Sequence, residues 1–319
     1  MPFLPTGKLP ADLLQSLLDA HAAHDPRVVV GARVGEDAAV IDLGDRYLVV
    51  AADPVTFATD ELGWYAVTVN ANDIAVRGAT PRWFLATLLL PAGATDEGTV
   101  RWLFAQLTEV THGIDRPLVA GTMLGEVAKD RLVTTAGARV GDAVVLTKGV
   151  PLEGAAIIAR EKKTELLVRG VPAAVIRTAR GFLRTPGIGI GPEAAIACDV
   201  ARVHAMHDPT EGGLATALHE LAAAAGVGLR IDHERIAVLP EGRALCEAFG
   251  LDPLGTIASG ALLLTLPSAE AGGVLRALAR ASIAARVIGE VVQAEQVVTL
   301  VAGPRRWPLP TFARLFAKT

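Results

Sequence analysis

Short apolar runs, each closed by glycine, proline or an acidic residue, alternate along this chain with single helical windows. That alternation narrows the fold more than any other feature, because such runs are long enough for strands and too short for much else. Val28–Val30, Ala38–Leu43 and Tyr47–Asp53 read as strands, with a turn at Gly44-Asp45. Before them, Pro10–His21 carries leucines at 13, 14, 17 and 18 on one helical face. Leu62–Arg77 is a helical window, Trp83–Leu90 a strand stopped by Pro91, and Asp96–Leu107 a helix with Thr95 as its expected cap. Strands are expected again at Leu118–Ala120 and Arg131–Ala138, and Gly141-Asp142 marks a turn. A second half repeats the alternation: strands at Ala143–Thr147, Val203–Met206, Val227–Ile231, Leu262–Leu266, Ala284–Gly289 and Val297–Val301. Its helices are expected at Leu152–Arg160, Pro172–Phe182, Pro192–Val200, Glu211–Ala225 and Ala269–Ala281. The reading is α+β, with two helix-covered sheets in domains 1–140 and 141–319, the second an α/β sandwich.

Composition removes several classes. The length of 319 residues suits two domains. With 51% apolar and 20% charged residues, there is ample core material and no case for disorder. A mean hydropathy of +0.40 raises the question of a membrane span. The longest uncharged stretch, Pro253–Ala269, is broken by Gly255, Gly260 and Pro267, whereas a spanning helix needs about 20 apolar residues. No membrane span and no signal peptide are expected. A net charge of −4 with scattered basic residues argues against nucleic acid. Cys198 and Cys246, far apart and outside any CxxC, exclude a disulfide framework and point to a reducing, cytoplasmic setting.

The candidate chemistry is acidic. Glu36 and Asp37 precede an apolar strand, Asp53 follows one, and Asp73 lies in a helical window. Carboxylates at strand ends can converge on Mg²⁺, which takes oxygen ligands and bridges to phosphates; exposed strand ends also collect acids for no other reason. Asn70, Asp73 and Arg77 share one face of an otherwise apolar helix. Such a seam needs partners, whether a ligand or a neighbouring strand. His207-Asp208-Pro209-Thr210-Glu211-Gly212-Gly213 opens an amphipathic helix, with Thr210 or Asp208 available as a cap and the glycines open to close ligand approach. Pro186-Gly187-Ile188-Gly189-Ile190-Gly191 has the wrong spacing, and the wrong preceding element, for a dinucleotide loop, so a flexible loop is expected.

Taken together, VGEDAAV (34–40), AADPVTF (51–57), VNANDIAVRGATPRWFLATLLLP (69–91), MHDPTEGGLATALHELA (206–222) and LDPLGTIASG (251–260) resemble one superfamily. It holds aminoimidazole ribonucleotide (AIR) synthase, thiamine-monophosphate kinase, selenophosphate synthetase and the hydrogenase maturation factor HypE, and HypE-like, AIR-synthase-related sequences are the most similar in look. The resemblance implies an ATP- and Mg²⁺-using enzyme that activates a carbonyl- or amide-type oxygen by phosphoryl transfer. It implies a homodimer in which amino-terminal sheets pair into a shared barrel, with nucleotide at the interface. Asp37 matches the family's acidic pair, Asp53 the aspartate after the next strand, and Asn72-Asp73 its ND motif, so Asp37, Asp53 and Asp73 are the implied metal ligands. Asn70, Asn72, Gly212 and Gly213 are implied on the nucleotide, and Asp208 and Glu211 on the substrate side, as catalytic residues.

Two departures accompany the resemblance. HypE-like factors end in a cysteine that carries a carbamoyl group, whereas Pro310–Thr319 has none and the last cysteine here is Cys246. A strand and a glycine-rich turn are also missing before Thr108-Glu109-Val110-Thr111, which leaves Glu109 as the acidic residue at that spot. Three readings follow. The first is an ATP-dependent enzyme acting on a small-molecule or carbamoylated substrate. The second is a nucleotide-binding maturation partner with reduced catalysis, and the third a HypE-type dehydratase whose carrier thiol sits on another protein.

Overall fold

The computed structural model describes residues 9–21, 25–55, 60–90, 95–109, 118–302 and 305–309. Helix α1 (Ala11–Ala20) precedes a first sheet made of β1 (Val28–Val30), β2 (Ala39–Asp42), β3 (Tyr47–Ala51), β4 (Pro54–Val55), β5 (Thr80–Leu89) and β6 (Leu118–Val127). Between them run α2 (Leu62–Ala75) and α3 (Glu97–Glu109). The ten-residue β6 is the hub, pairing antiparallel with β3 and β4 along one edge and with β5 along the other. Successive residues point to opposite faces. Val40, Val49, Ala51 and Met123 bury one face against α2 and its Ile74. The other face is open: Trp83, Leu85 and Leu89 of β5 are 52%, 59% and 55% exposed.

The second sheet begins with β7 (Asp142–Thr147) and continues through α4 (Glu153–Glu161), α5 (Lys163–Val168), α6 (Ala173–Gly181), α7 (Gly191–Val200), β8 (Ala205–His207), α8 (Gly213–Ala225) and β9 (Gly228–Asp232). The chain then runs through α9 (Pro240–Phe249), β10 (Leu263–Pro267), α10 (Ser268–Arg280), β11 (Ala285–Val292), β12 (Val298–Ala302) and β13 (Arg305–Pro308). The strand order is β13-β12-β9-β11-β7-β10-β8, antiparallel except for β12 against β9. All six residues of β7 are buried, as a strand covered on both faces must be. Val144 and Leu146 pack on α8, Val145 on α7 and α10. Leu62, Tyr65 and Ala66 of α2 share a core with Leu152, Ala155 and Ala156 beside α4, so the two layers meet through continuous apolar packing.

Several expectations need correction. Arg131–Ala138 is not a strand: it follows a 3-10 turn at Lys129–Arg131 and holds another at Thr135–Gly137, and Val133 donates to the carbonyl of Arg77 rather than to a ladder, 3.1 Å. The strand read as Leu118–Ala120 runs on to Val127. Asp96, not Thr95, caps α3, its Oδ1 accepting the Thr99 N–H at 2.6 Å. β4, α5, α9 and β13 were not expected. The reading at Thr108–Thr111 is met only in part: Thr108 and Glu109 close α3, and 110–117 lie outside the described residues, as do 310–319. No helix among the described residues is long and apolar enough to cross a membrane.

Candidate functional site

The polar seam of α2 divides its work among three partners. Asn70, fully buried, accepts the Asp53 N–H at 2.9 Å and donates to the Asp53 carbonyl at 3.2 Å and to that of Ala66 at 2.8 Å. Its amide fixes the backbone of Asp53 just beyond β3. Asn72 points the other way, donating to Ile188 O at 2.9 Å and accepting from Ile190 N–H at 3.0 Å. It clamps the glycine-rich loop across the domain boundary. Lys148 holds the same loop through the carbonyls of Gly187 and Gly189 (3.1 and 2.7 Å) and pairs with buried Glu193 at 2.5 Å. The expectation of a flexible loop fails here: Ile188 and Ile190 are fully buried, and their two glycine neighbours give up carbonyls to a lysine.

Beyond α2, Arg77 is fully buried and meets Glu36 at 2.8 Å, Asp37 at 3.7 Å and Thr135 Oγ1 at 2.9 Å. A charge buried to this depth needs such a set of partners. Asp37 is held in turn by His207, whose Nδ1 lies 2.8 Å from Asp37 Oδ2 while Nε2 lies 2.9 Å from Glu220 Oε2. Burial would lower the His207 pKa, but the two carboxylates more than reverse it and hold it at about 10. The ring is an imidazolium that donates at both ends.

Around this frame four carboxylates converge. Burial, and then the charges of Asp53, Asp37 and Asp208, push Asp73 well above the usual carboxylate range, against the pull of Arg77. Asp208, fully buried, is raised to about 8 by burial, by Asp37 and by Glu153. The Asn72 amide and the His207 ring beside it pull the other way, and neither oxygen makes a hydrogen bond of good geometry among the described residues. Asp53 and Glu211 line a small cleft of about 40 Å³ with Glu153, Thr210 and Ser259. Glu153 is raised to about 7 by burial. Among the described residues no three His, Cys, Asp or Glu side chains stand close enough to hold an ion by themselves. Mg²⁺ characteristically takes one or two carboxylates and completes its shell with water and phosphate oxygens. Buried, mutually repelling carboxylates fit that demand.

The Asp208–Gly213 segment does less capping, and more packing, than its residues suggest. No side chain caps α8. Gly212 and Gly213 both take left-handed backbone (φ +82° and +60°), and a Cβ at Gly213 would sit 2.5 Å from the carbonyls of Leu254 and Thr256. The close approach at Gly213 is therefore to the protein's own backbone.

Family comparisons fit this arrangement. A family model described as "AIR synthase related protein, N-terminal domain" matches residues 35–142, and its C-terminal counterpart matches 139–301. The carbamoyl dehydratase HypE of Cupriavidus necator is 31% identical over 90% of this chain and 84% of its own. The chain belongs to the AIR synthase related family. Two solved structures share its fold. The HypE–HypF complex contains a chain with a TM-score of 0.73 at 19% identity, over 95% of this chain and all of that one. A HypE solved in complex with ATP gives 0.68 at 21%, over 95% and 91%. In this AIR synthase related chain, Asp37, Asp53, Asp73 and Asp208 come together, while Glu211 stays at the exposed rim. The sequence reading passed over His207, Glu220 and Glu153. His207 stood inside a quoted motif, but its two carboxylate partners are 170 and 13 residues away and gave no local signal.

Proposed function

We propose that this chain is an ATP-dependent enzyme of the AIR synthase/HypE type, activating a carbonyl- or amide-type oxygen by phosphoryl transfer. The observation that carries the reading is the convergence of Asp37, Asp53, Asp73 and Asp208, in which neighbouring charges raise the proton affinity of buried Asp73 and Asp208. Asp37, Asp53 and Asp73 would hold Mg²⁺. When bound, the ion offsets charge on the transferring phosphoryl group. The chain's own contribution is positioning: Asn70 fixes Asp53, His207 and Arg77 fix Asp37, and the rigid α2 carries Asp73. Asp208 and Glu211 face the substrate side, and Glu153 holds a proton near neutral pH.

The reading divides the chain into domains 1–140 and 141–319 and places the protein in the cytoplasm as a homodimer. The open face of the first sheet supports the homodimer. The relatives' names add a maturation partner and a carbamoylated substrate. Burial raises both Cys198 and Cys246 to about 11, so neither is suited to act as a carrier thiolate. A HypE-like carbamoyl dehydratase using a carrier thiol on another protein is the alternative reading.

Calorimetry tests the metal site. ATP should bind only with Mg²⁺, and Asp73→Asn should weaken MgATP by at least tenfold, since a hydrogen bond or ligand contact from a charged group is worth roughly 1.5–3 kcal/mol. MgATP bound equally well by Asp73→Asn would remove Asp73 from the site. Binding without ADP release would favour the nucleotide-binding maturation partner over the enzyme.

A further inference from the structure

Asp37 lies in a stretch without regular structure, two residues ahead of β2. A carboxylate on such a loop has rotamers to lose, and a metal ligand that must be ordered on binding costs affinity. The loop is seated against the second domain: a Cβ on Gly35 would lie 2.8 Å from the carbonyl of Glu220, in the middle of α8. His207, at the end of β8 and 1% exposed, fills the angle between loop and helix. Its Nδ1 reaches Asp37 Oδ2 at 2.8 Å and its Nε2 reaches Glu220 Oε2 at 2.9 Å. The neighbouring Arg77 guanidinium, 3.7 Å away, approaches that same Asp37 oxygen. Oδ2 is thus the engaged oxygen, and Oδ1 has no partner among the described residues.

We propose that His207 is the positioning residue of the metal site: strung between Glu220 of one domain and Asp37 of the other, it fixes the rotamer of Asp37 so that Oδ1 is presented to the ion. The inference rests on the assignment of Asp37 to Mg²⁺. Hydrogen-bonded partners behind metal ligands commonly govern affinity by 10–100-fold. Only the Asp37 end of the ring should carry that effect, and the Glu220 end should serve as its anchor.

The two ends can be separated. An asparagine amide nitrogen occupies roughly the place of a histidine Nδ1, and a glutamine amide nitrogen roughly that of Nε2. His207→Asn therefore keeps the donor to Asp37, and His207→Gln keeps only the donor to Glu220. ATP binding is followed by calorimetry while Mg²⁺ is titrated, and thermal unfolding is followed without metal. The Mg²⁺ concentration at half-saturation should rise about tenfold or more in His207→Gln and stay within about threefold of wild type in His207→Asn, with similar loss of thermal stability in both. Equal Mg²⁺ requirements in all three proteins, or an equal rise in both variants, would leave His207 a structural strut and overturn the proposal. A second readout needs no variant: in histidine-labelled wild type, Mg²⁺ with nucleotide should shift the His207 Nδ1–H resonance far more than the Nε2–H resonance. Two unmoved resonances would overturn it as well. Wild type that binds ATP without Mg²⁺, or not at all, would overturn the metal assignment and this inference with it.

Discussion

Glu153 occupies the first turn of α4, where a helix dipole favours an anion by at most about 2 kcal/mol. Burial outweighs the dipole, and the carboxyl titrates at about 7 instead of 4.5. Its folded pKa is the higher one, so its share of stability is complete below about pH 4.5 and is lost as pH rises through 7. Glu153→Gln, which mimics the protonated group, should stabilise the protein at pH 8 by about 3 kcal/mol, since each tenfold change in proton affinity is worth about 1.4 kcal/mol. Urea unfolding at pH 8 and pH 5 checks this, the gain shrinking at the lower pH. An equal effect at both would mean that the carboxyl is not ionising in this range. The residue lies in an ordinary helical pattern, and nothing in the sequence singled it out. What makes it unusual is burial beneath segments brought from elsewhere, with the carboxylates of Glu211 and Asp53 adding to the shift.

α2 is the element on which the site hangs, and its seam was legible because Asn70, Asp73 and Arg77 recur at helical spacing. What periodicity could not show is how closely the sheet approaches. Gly121 and Gly125 of β6 face α2: a Cβ at Gly121 would collide with the Asn70 amide and lie 2.6 Å from the Phe84 ring. One at Gly125 would collide with Ile74 and lie 2.6 Å from the Thr80 carbonyl. Overpacking of this kind typically costs 1–3 kcal/mol. Gly121→Ala and Gly125→Ala should therefore destabilise by about 1–3 kcal/mol each in urea. Gly121→Ala alone should also weaken MgATP, because it displaces the amide that fixes Asp53. Equal MgATP affinity in the two variants, measured by calorimetry, would separate Asn70 from the nucleotide site.

At the scale of the molecule, the first sheet has one face covered by α2 and another that carries Val28, Trp83, Leu85 and Leu89 in the open. Cross-strand pairing aligns Trp83 with Leu124 and Val50, and Leu48 with Ile41, so the exposed side chains form one continuous surface rather than scattered sites. Apolar patches of that kind mark association surfaces. The protein should elute as a dimer at micromolar concentration by light scattering. Leu85→Asp, which places a charge on that face and touches nothing in the cleft, should shift it to monomer. A wild-type monomer would remove the homodimer from the reading.

Local signals were enough for what is local. Period-two and period-3.6 patterns placed β2, β3, α2, α8 and most of the second sheet within a few residues, because alternate burial on a strand and one-sided burial on a helix are written into neighbouring positions. Asp37, Asp53 and Asp73 could be picked out at strand ends and on a helix face, but their grouping as metal ligands came from the family resemblance and not from periodicity. Residues 131–138 misled, since their apolar content serves turns packed beneath Arg77 and not a ladder. The glycine-rich loop misled too, because Lys148 and Asn72, which pin it, lie some 40 and 116 residues away. Only the tertiary structure could make Asn70 the lock on the Asp53 backbone. Only it could place His207 between Asp37 and Glu220, or bury Glu153 and Asp208 deeply enough to change when they ionise. Hydrogen bonds and desolvation depend on which groups are brought within a few ångströms, and that is settled by the packing of the two sheets around α2.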